Sequence, residues 1–220
     1  MRCITKVEEP AILRDNAAQW LQDFLADPQD GVKRYRYRHP QIKSSLKLET
    51  CDKCIYCESR IGHNTPGDIE HKVPTAKDPN RHFQWSNLSI ACTECNRRKN
   101  DFYSEHDGFL DPYEDNIDDF LEHHGPVVVS KTGAQRGEVC VNILELCSPK
   151  RLALVSQKIL KLTELQNLLE RFNAAQPGPL KEVLKRQLVQ MASVGSEYSA
   201  MVRAALIAKG YGPLLDPPAP

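Results

Sequence analysis

Cys54-Ile55-Tyr56-Cys57, answered further along by Cys92-Thr93-Glu94-Cys95-Asn96-Arg97-Arg98-Lys99, decides how the rest of the chain is read. Each Cys-x-x-Cys pair sets two thiolates on one tight turn, and two such turns supply the tetrahedral sulfur shell that structural zinc prefers. Four protein ligands leave no open position, so a zinc ion held this way maintains the fold and does no chemistry. The surrounding stretch, from Lys47 to Tyr103, is dense in Gly, Pro, Asn and Asp and has weak periodicity. A unit of that composition cannot bury enough apolar surface by itself, so a metal has to hold it together. Cys51 forms a further Cys-x-x-Cys with Cys54, which leaves two possible ligand sets. The Cys-x-Tyr-Cys form favours Cys54 and Cys57, with Cys51 as a spare thiol or a rescue ligand.

The compartment bears on the same cysteines. Met1-Arg2-Cys3-Ile4-Thr5-Lys6-Val7-Glu8-Glu9 has no apolar stretch of the kind a secretory leader carries, and the longest aliphatic run is Ala204 to Ala208. The expected location is therefore cytoplasmic, with no membrane contact. In that reducing setting clustered cysteines point to metal before disulfides. Cys3, Cys140 and Cys147 lie apart from the cluster and read as ordinary thiols. Lys and Arg number 29, as do Asp and Glu, a balance unlike that of a stand-alone nucleic-acid binder. The charge is segregated, however. Lys33, Arg34, Arg36, Arg38, Lys43 and Lys47 occur between Gly31 and Leu48 without an acid, whereas residues 101–130 hold many acids and no Lys or Arg.

Three parts follow from these patterns: residues 1–46, an N-terminal helix and basic segment; 47–103, the cysteine-rich unit; and 104–220, an acidic connector, a hairpin and C-terminal helices suited to partner docking. Leu13, Ala17, Trp20, Leu21, Phe24 and Leu25 recur at helical spacing until Asp27-Pro28. Val127 to Val129 and Val139 to Leu146 read as two strands joined through Lys131 to Gly137. Beyond Ser148-Pro149, a helix start, apolar residues recur at Leu152, Val155, Ile159, Leu162, Leu165, Leu169 and Phe172. Pro177-Gly178-Pro179 breaks this helix, and two more follow, through Leu180 to Met191 and through Tyr198 to Ala205; the tail from Leu214 to Pro220 reads as extended. A C-terminal helical bundle results.

Between and after the cysteine pairs come Asp68-Ile69-Glu70-His71-Lys72-Val73-Pro74, then Trp85-Ser86-Asn87-Leu88, then Asn96-Arg97-Arg98-Lys99. Taken singly, each has a plainer explanation: a surface ion pair, a turn into a core strand, a solvated helix face. In this order inside a cysteine knuckle they resemble the HNH nuclease family. The resemblance implies a zinc-stabilised ββα-metal unit embedded in a mostly helical α+β protein, with two strands bearing His71 and Asn87 and a helix bearing Asn96. It further implies phosphodiester hydrolysis, which needs an activated water and a cation beside the phosphate. A neutral imidazole suits the first task, so His71 is the candidate general base. Glu70 and Asn96 are hard oxygen donors for Mg²⁺ or Mn²⁺. Asn96 stands where the family name has His, and its amide oxygen favours those two ions over softer metals. By the same analogy Asn87 braces the loop that carries His71. Arg97, Arg98 and Lys99 leave the knuckle on the helix, where they suit flanking phosphates. Lys33, Arg34 and Arg36, interleaved with tyrosines, suit backbone tracking or, as a plainer reading, a cationic edge strand. His63 and His82 read as surface or phosphate-contact residues.

Met1-Arg2-x-Ile4-x-Lys6 and Leu110-Asp111-Pro112 extend the likeness to the HNH subunit of Septu-type, retron-associated anti-phage defence systems. That resemblance implies an ABC/SMC-type ATPase as partner and, in the retron-associated systems, a reverse transcriptase with its nucleic-acid product. DNA is the implied substrate; an RNA-cleaving effector such as a tRNA nuclease, or a non-catalytic zinc adaptor, would carry the same knuckle. The ligand choice is open to direct measurement. Zinc analysis of purified variants is expected to find one ion per chain retained in Cys51→Ala and lost in Cys57→Ala; the opposite pattern would place Cys51 in the shell.

Overall fold

The computed structural model describes residues 1–62, 67–105 and 108–215. His63 and the end of the tail fall outside these. The architecture is α+β and divides into two units, Cys3–Asp115 and Asn116–Pro220, the latter joined by Met1–Arg2.

In the first unit, helix α1 spans Ala11–Ala26 and buries Leu13 and Phe24. A one-turn helix, α2 (Gly31–Arg34), is started by the Asp30 carboxylate, which accepts from the amides of Val32 and Lys33. A 3₁₀ turn over Tyr35–Arg38 carries the basic run onward. The expected alternative, a cationic edge strand, is absent because Asp30 caps a helix there. Helix α3 (Pro40–Glu49) begins at Pro40, whose fixed φ suits a first helical turn, and buries Ile42 and Leu46.

The strands β1 (Asp68–His71) and β2 (Leu88–Ala91) pair antiparallel, with His71 opposite Leu88 and Glu70 opposite Ser89. Helix α4 (Thr93–Lys99) follows directly and completes a ββα unit. Asn87 lies in a 3₁₀ turn that leads into β2 rather than on the strand itself. The knuckle turn docks on the sheet through the Ile55 amide, which donates to the Ile90 carbonyl at 3.0 Å. The N-terminal segment is tied to the same place. Lys6 Nζ donates to the carbonyl of Leu88 at 2.6 Å and pairs with Glu49 at 3.0 Å, while Trp85 Nε1 donates to the Val7 carbonyl. Lys6 thus secures the residue directly across the sheet from His71.

In the second unit, β3 (Leu121–His124) and β4 (Val127–Ser130) form a hairpin around Gly125-Pro126, with Gly125 at φ 59°. Residues 135–143 are helix α5 (Gln135–Ile143), so the strand expected over Val139 to Leu146 is not formed. Val139, Val141 and Ile143 alternate as in a strand, but from α5 to its C-cap the buried positions are Gly137, Cys140 and Leu144, at helical spacing. Gly137 has a packing reason: a Cβ there would stand 2.6 Å from the Phe120 carbonyl oxygen. The true partner of β4 is hidden in the acidic connector, where Leu121 is the only aliphatic residue of the strand Leu-Glu-His-His.

Helices α6 (Leu152–Ala174), α7 (Pro179–Met191) and α8 (Ser199–Ala208) follow, with α6 ending before Pro177-Gly178-Pro179. Leu165, Leu168, Leu169, Leu184, Leu188, Val202 and Leu206 form their shared core. The first half of α6 departs from its expected face. Leu154 and Lys158 are buried, whereas Leu152 and Ile159 are exposed.

Phe83 connects α1 to the loop before β2. It is 2% exposed and meets Trp20, Phe24 and His82 edge to face. Truncation removes both the buried ring and the support behind it. Phe83→Ala is expected to cost about 3–5 kcal/mol in urea denaturation of the zinc-loaded chain; a cost below about 1 kcal/mol would contradict this packing.

Candidate active site and metal centre

The sulfurs of Cys54, Cys57, Cys92 and Cys95 all lie within 4.8 Å of one another. Zn–S bonds of about 2.3 Å at tetrahedral angles require an S–S separation of roughly 3.8 Å, and Cys57 Sγ to Cys92 Sγ is 3.8 Å. The set therefore fits a four-sulfur zinc shell. Cys51 is outside it, held on a turn at φ 53°. Burial pushes the Cys54 thiol up, while a hydrogen bond from Cys54 holds Cys57 down. Thiolates this close need a shared cation. Cys92 also caps α4, its sulfur accepting from the Cys95 amide at 3.4 Å, so the cluster fixes where α4 begins.

At the other end of α4, Lys99 is 1% exposed. Its ammonium pairs with Glu70 Oε1 at 2.7 Å and donates to the backbone carbonyl of His71 at 3.0 Å. Tyr56, inside the knuckle turn, donates to the same Glu70 oxygen at 2.9 Å. Lys99 is thus not beside Arg97 and Arg98 as a phosphate contact; the α4 helix turns it inward to balance Glu70. Burial raises the Glu70 pKa, and the Lys99 ammonium opposes that rise. Both neighbours act on Oε1, which leaves Oε2 as the oxygen that can meet a cation.

His71 has a determined orientation. Its Nε2 lies 2.9 Å from the carbonyl oxygen of His82. A carbonyl only accepts, so Nε2 carries the hydrogen and Nδ1 the lone pair. The ring stacks on His82 at 4.7 Å and 7°, and Tyr37 meets it edge-on at 4.7 Å. His82 is in turn stacked on Phe24 and uses both ring nitrogens: Nε2 donates to the Arg34 carbonyl at 2.8 Å and Nδ1 accepts from the Thr75 hydroxyl at 2.7 Å. It is 2% exposed, a brace for His71 rather than a surface residue. No local sequence signal separates it from an exposed histidine. Asn87, wholly buried, closes the intervening loop. Its Oδ1 accepts from the Val73 amide at 2.8 Å, and its Nδ2 donates to the carbonyls of Val73 and Arg81.

An open cleft of ≈ 320 Å³ brings Glu70, His71 and Asn96 together with Arg34, Tyr35, Arg38 and Asn100. A carboxylate and an amide oxygen beside one imidazole form a hard donor set of the kind Mg²⁺ and Mn²⁺ take. The basic residues divide. Lys33 pairs with Asp27 and Asp30, and Arg36 with Asp23, so neither lines the cleft. Arg34 does line it, together with Arg38. On α4, Arg97 and Arg98 both pair with Glu94.

Comparison with known proteins agrees with this geometry. Residues 54–102 match the HNH endonuclease family model. Septu protein PtuB of Bacillus thuringiensis is 28% identical over 214 residues, which is 92% of this chain and 80% of that protein. Septu protein PtuB of Bacillus mycoides (strain KBAB4) is 28% identical over 141 residues, covering 50% of this chain and 48% of that protein. The chain carries an HNH endonuclease domain, and its enzymatic class is that of a phosphodiester hydrolase.

Burial, and then the neighbouring His82, lower the His71 pKa to about 3. An unfolded histidine titrates near 6.5, so below that pH the unfolded chain takes up a proton that the folded site refuses. Stability is then fully present above pH 6.5 and declines as pH falls towards 3, by at most about 1.4 kcal/mol per unit from this group. Urea midpoints at pH 7.5 and 5.5 are expected to show the decline in the parent chain and a smaller one in His71→Asn. An equal decline in both would contradict the burial of a neutral imidazole.

Proposed function

We propose that this HNH endonuclease cuts DNA with Mg²⁺ or Mn²⁺ at the His71 cleft, as the effector of a Septu-type anti-phage defence complex in the cytoplasm. The observation that carries the reading is the meeting of His71, Glu70 and Asn96 in one cleft, with the lone pair of His71 on Nδ1. In this mechanism Nδ1 takes a proton from the attacking water. The carbonyl of His82 keeps the ring in that tautomer, and Asn87 keeps the loop in place. Glu70 and Asn96 would hold a divalent cation, which would supply positive charge beside the phosphate and the departing oxygen. Lys99 and Tyr56 fix the Glu70 carboxylate so that its second oxygen is available. A zinc ion at Cys54, Cys57, Cys92 and Cys95 would hold β1, β2 and α4 in place and take no part in the reaction.

The defence role is supported by the two relatives named Septu protein PtuB. The resemblance to Septu-type systems supports an ABC/SMC-type ATPase as partner, with residues 104–220 proposed as its docking region. Exposed Leu152, Ile159 and Leu160 on α6, with Leu180 and Val183 on α7, support a role in association. No helix among the described residues is long and apolar enough to cross a membrane. The relatives' names carry nothing about a reverse transcriptase, so a retron product is not part of this reading.

Incubating the full chain with plasmid DNA or with tRNA, in Mg²⁺ or Mn²⁺, tests the proposal. DNA is expected to be cut and tRNA left whole, with His71→Ala lowering the rate about 10²–10⁴-fold at unchanged zinc content. Preferential tRNA cleavage would favour the RNA effector. Activity unchanged in His71→Ala would remove His71 as the base.

A further inference from the structure

The basic run Lys33-Arg34-Tyr35-Arg36-Tyr37-Arg38 is divided by its own fold into two pairs. Lys33 and Arg36 turn towards α1 and are neutralised, Lys33 by Asp27 at 3.7 Å and Asp30 at 3.5 Å, Arg36 by Asp23 at 2.6 Å. Arg34 and Arg38 line the cleft, and among the described residues neither has a carboxylate partner. Of the acids in the cleft lining, Asp101 accepts from the Asn100 side-chain amide at 3.0 Å and Glu70 pairs with Lys99 at 2.7 Å. Both guanidinium groups lie over the same ring. Arg38 is 4.4 Å and Arg34 6.0 Å from the Tyr35 centroid, and Arg38 is 5.7 Å from the Tyr37 centroid. The Tyr35–Arg38 stack follows from the 3₁₀ turn, in which residues three apart eclipse.

Two like charges gathered on one tyrosine, without a counter-ion, repel each other. Such an arrangement is relieved by an anion between or beside them. Its position identifies the anion. The backbone carbonyl of Arg34 accepts from His82, whose ring stacks on His71, so this segment is mounted on the brace of the base. The chain as a whole has no net charge, with 29 basic and 29 acidic residues. Its electrostatic hold on a polyanion therefore comes from local, uncompensated cations.

We infer that Arg34 and Arg38 form a clamp for substrate phosphates, Arg34 on the phosphate next to His71 and Arg38, laid on Tyr35, on its neighbour along the same strand. The inference rests on the nuclease reading of the His71 cleft. Planar guanidinium groups present paired donors to phosphate oxygens, so lysine is not an equivalent replacement. Lys33 and Arg36, adjacent in sequence and equal in charge, take no part.

The test uses the full chain carrying His71→Ala, which binds without cutting, and a DNA duplex titrated over a range of salt. Each phosphate contact contributes about 0.9 to the slope of log affinity against log salt. Arg34→Ala and Arg38→Ala are each expected to lower that slope by about 0.9, whereas Lys33→Ala and Arg36→Ala leave it unchanged. In the chain with His71 intact, Arg34→Ala is expected to lower kcat and Arg38→Ala chiefly to raise KM, each with zinc content and circular dichroism unaltered. Arg34→Lys restores the slope but not kcat. If all four alanine variants lower the slope alike, or if Arg34→Ala and Arg38→Ala leave it unchanged while the parent still cuts DNA, the clamp is overturned and the nuclease reading stands. If the parent neither binds nor cuts DNA, both fall.

Discussion

Four sulfurs within 4.8 Å of one another cannot stay there as thiolates without a cation, and almost everything about the cleft depends on that constraint. Two of them end the knuckle turn that docks on β2, and the other two start α4. One sulfur even caps that helix. Fixing the start of a helix only two turns long also fixes its end, where Lys99 reaches back under β1 to Glu70 and to the carbonyl of His71. The cluster and His71 do not touch. They are linked through one rigid helix and one buried ion pair.

A second layer of order is aromatic. Phe24 on α1, then His82, then His71 form a stack, with Tyr37 closing its edge. This explains why α1 and the basic segment belong to the same unit as the knuckle and are not an appendage to it. The stack also couples two functions. The same His82 that fixes the His71 tautomer holds the backbone of Arg34, so the group proposed to take a proton and the groups proposed to grip phosphate share one support.

The cysteine pairs and the helix start at Ser148-Pro149 are legible in the sequence because each is set by local spacing or local turn chemistry, whereas Glu70, His71 and Asn87 stand out only through the resemblance to the HNH family. What stayed hidden depends on which way a side chain turns once the chain has folded. Lys99 looked like a third surface cation after Arg97 and Arg98, yet helical rotation carries it inward. Lys33 and Arg36 were indistinguishable from Arg34 and Arg38 until the acids of α1 and of the turn after it were placed beside two of them. The strand expected at Val139 to Leu146 arose from β-branched residues at alternate positions, whereas burial follows Gly137, Cys140 and Leu144. His82 carried no pattern at all, because its role comes from stacking against residues far away in sequence.

A closed, sulfur-only metal shell should hold this site while remaining outside its chemistry. Zinc-edge X-ray absorption of the purified full chain tests it most directly. One zinc per chain is expected, with four sulfur neighbours at about 2.3 Å and no nitrogen or oxygen ligand, unchanged when Mg²⁺ or Mn²⁺ is added. A shell containing nitrogen or oxygen, or a folded and active chain without zinc, would contradict it.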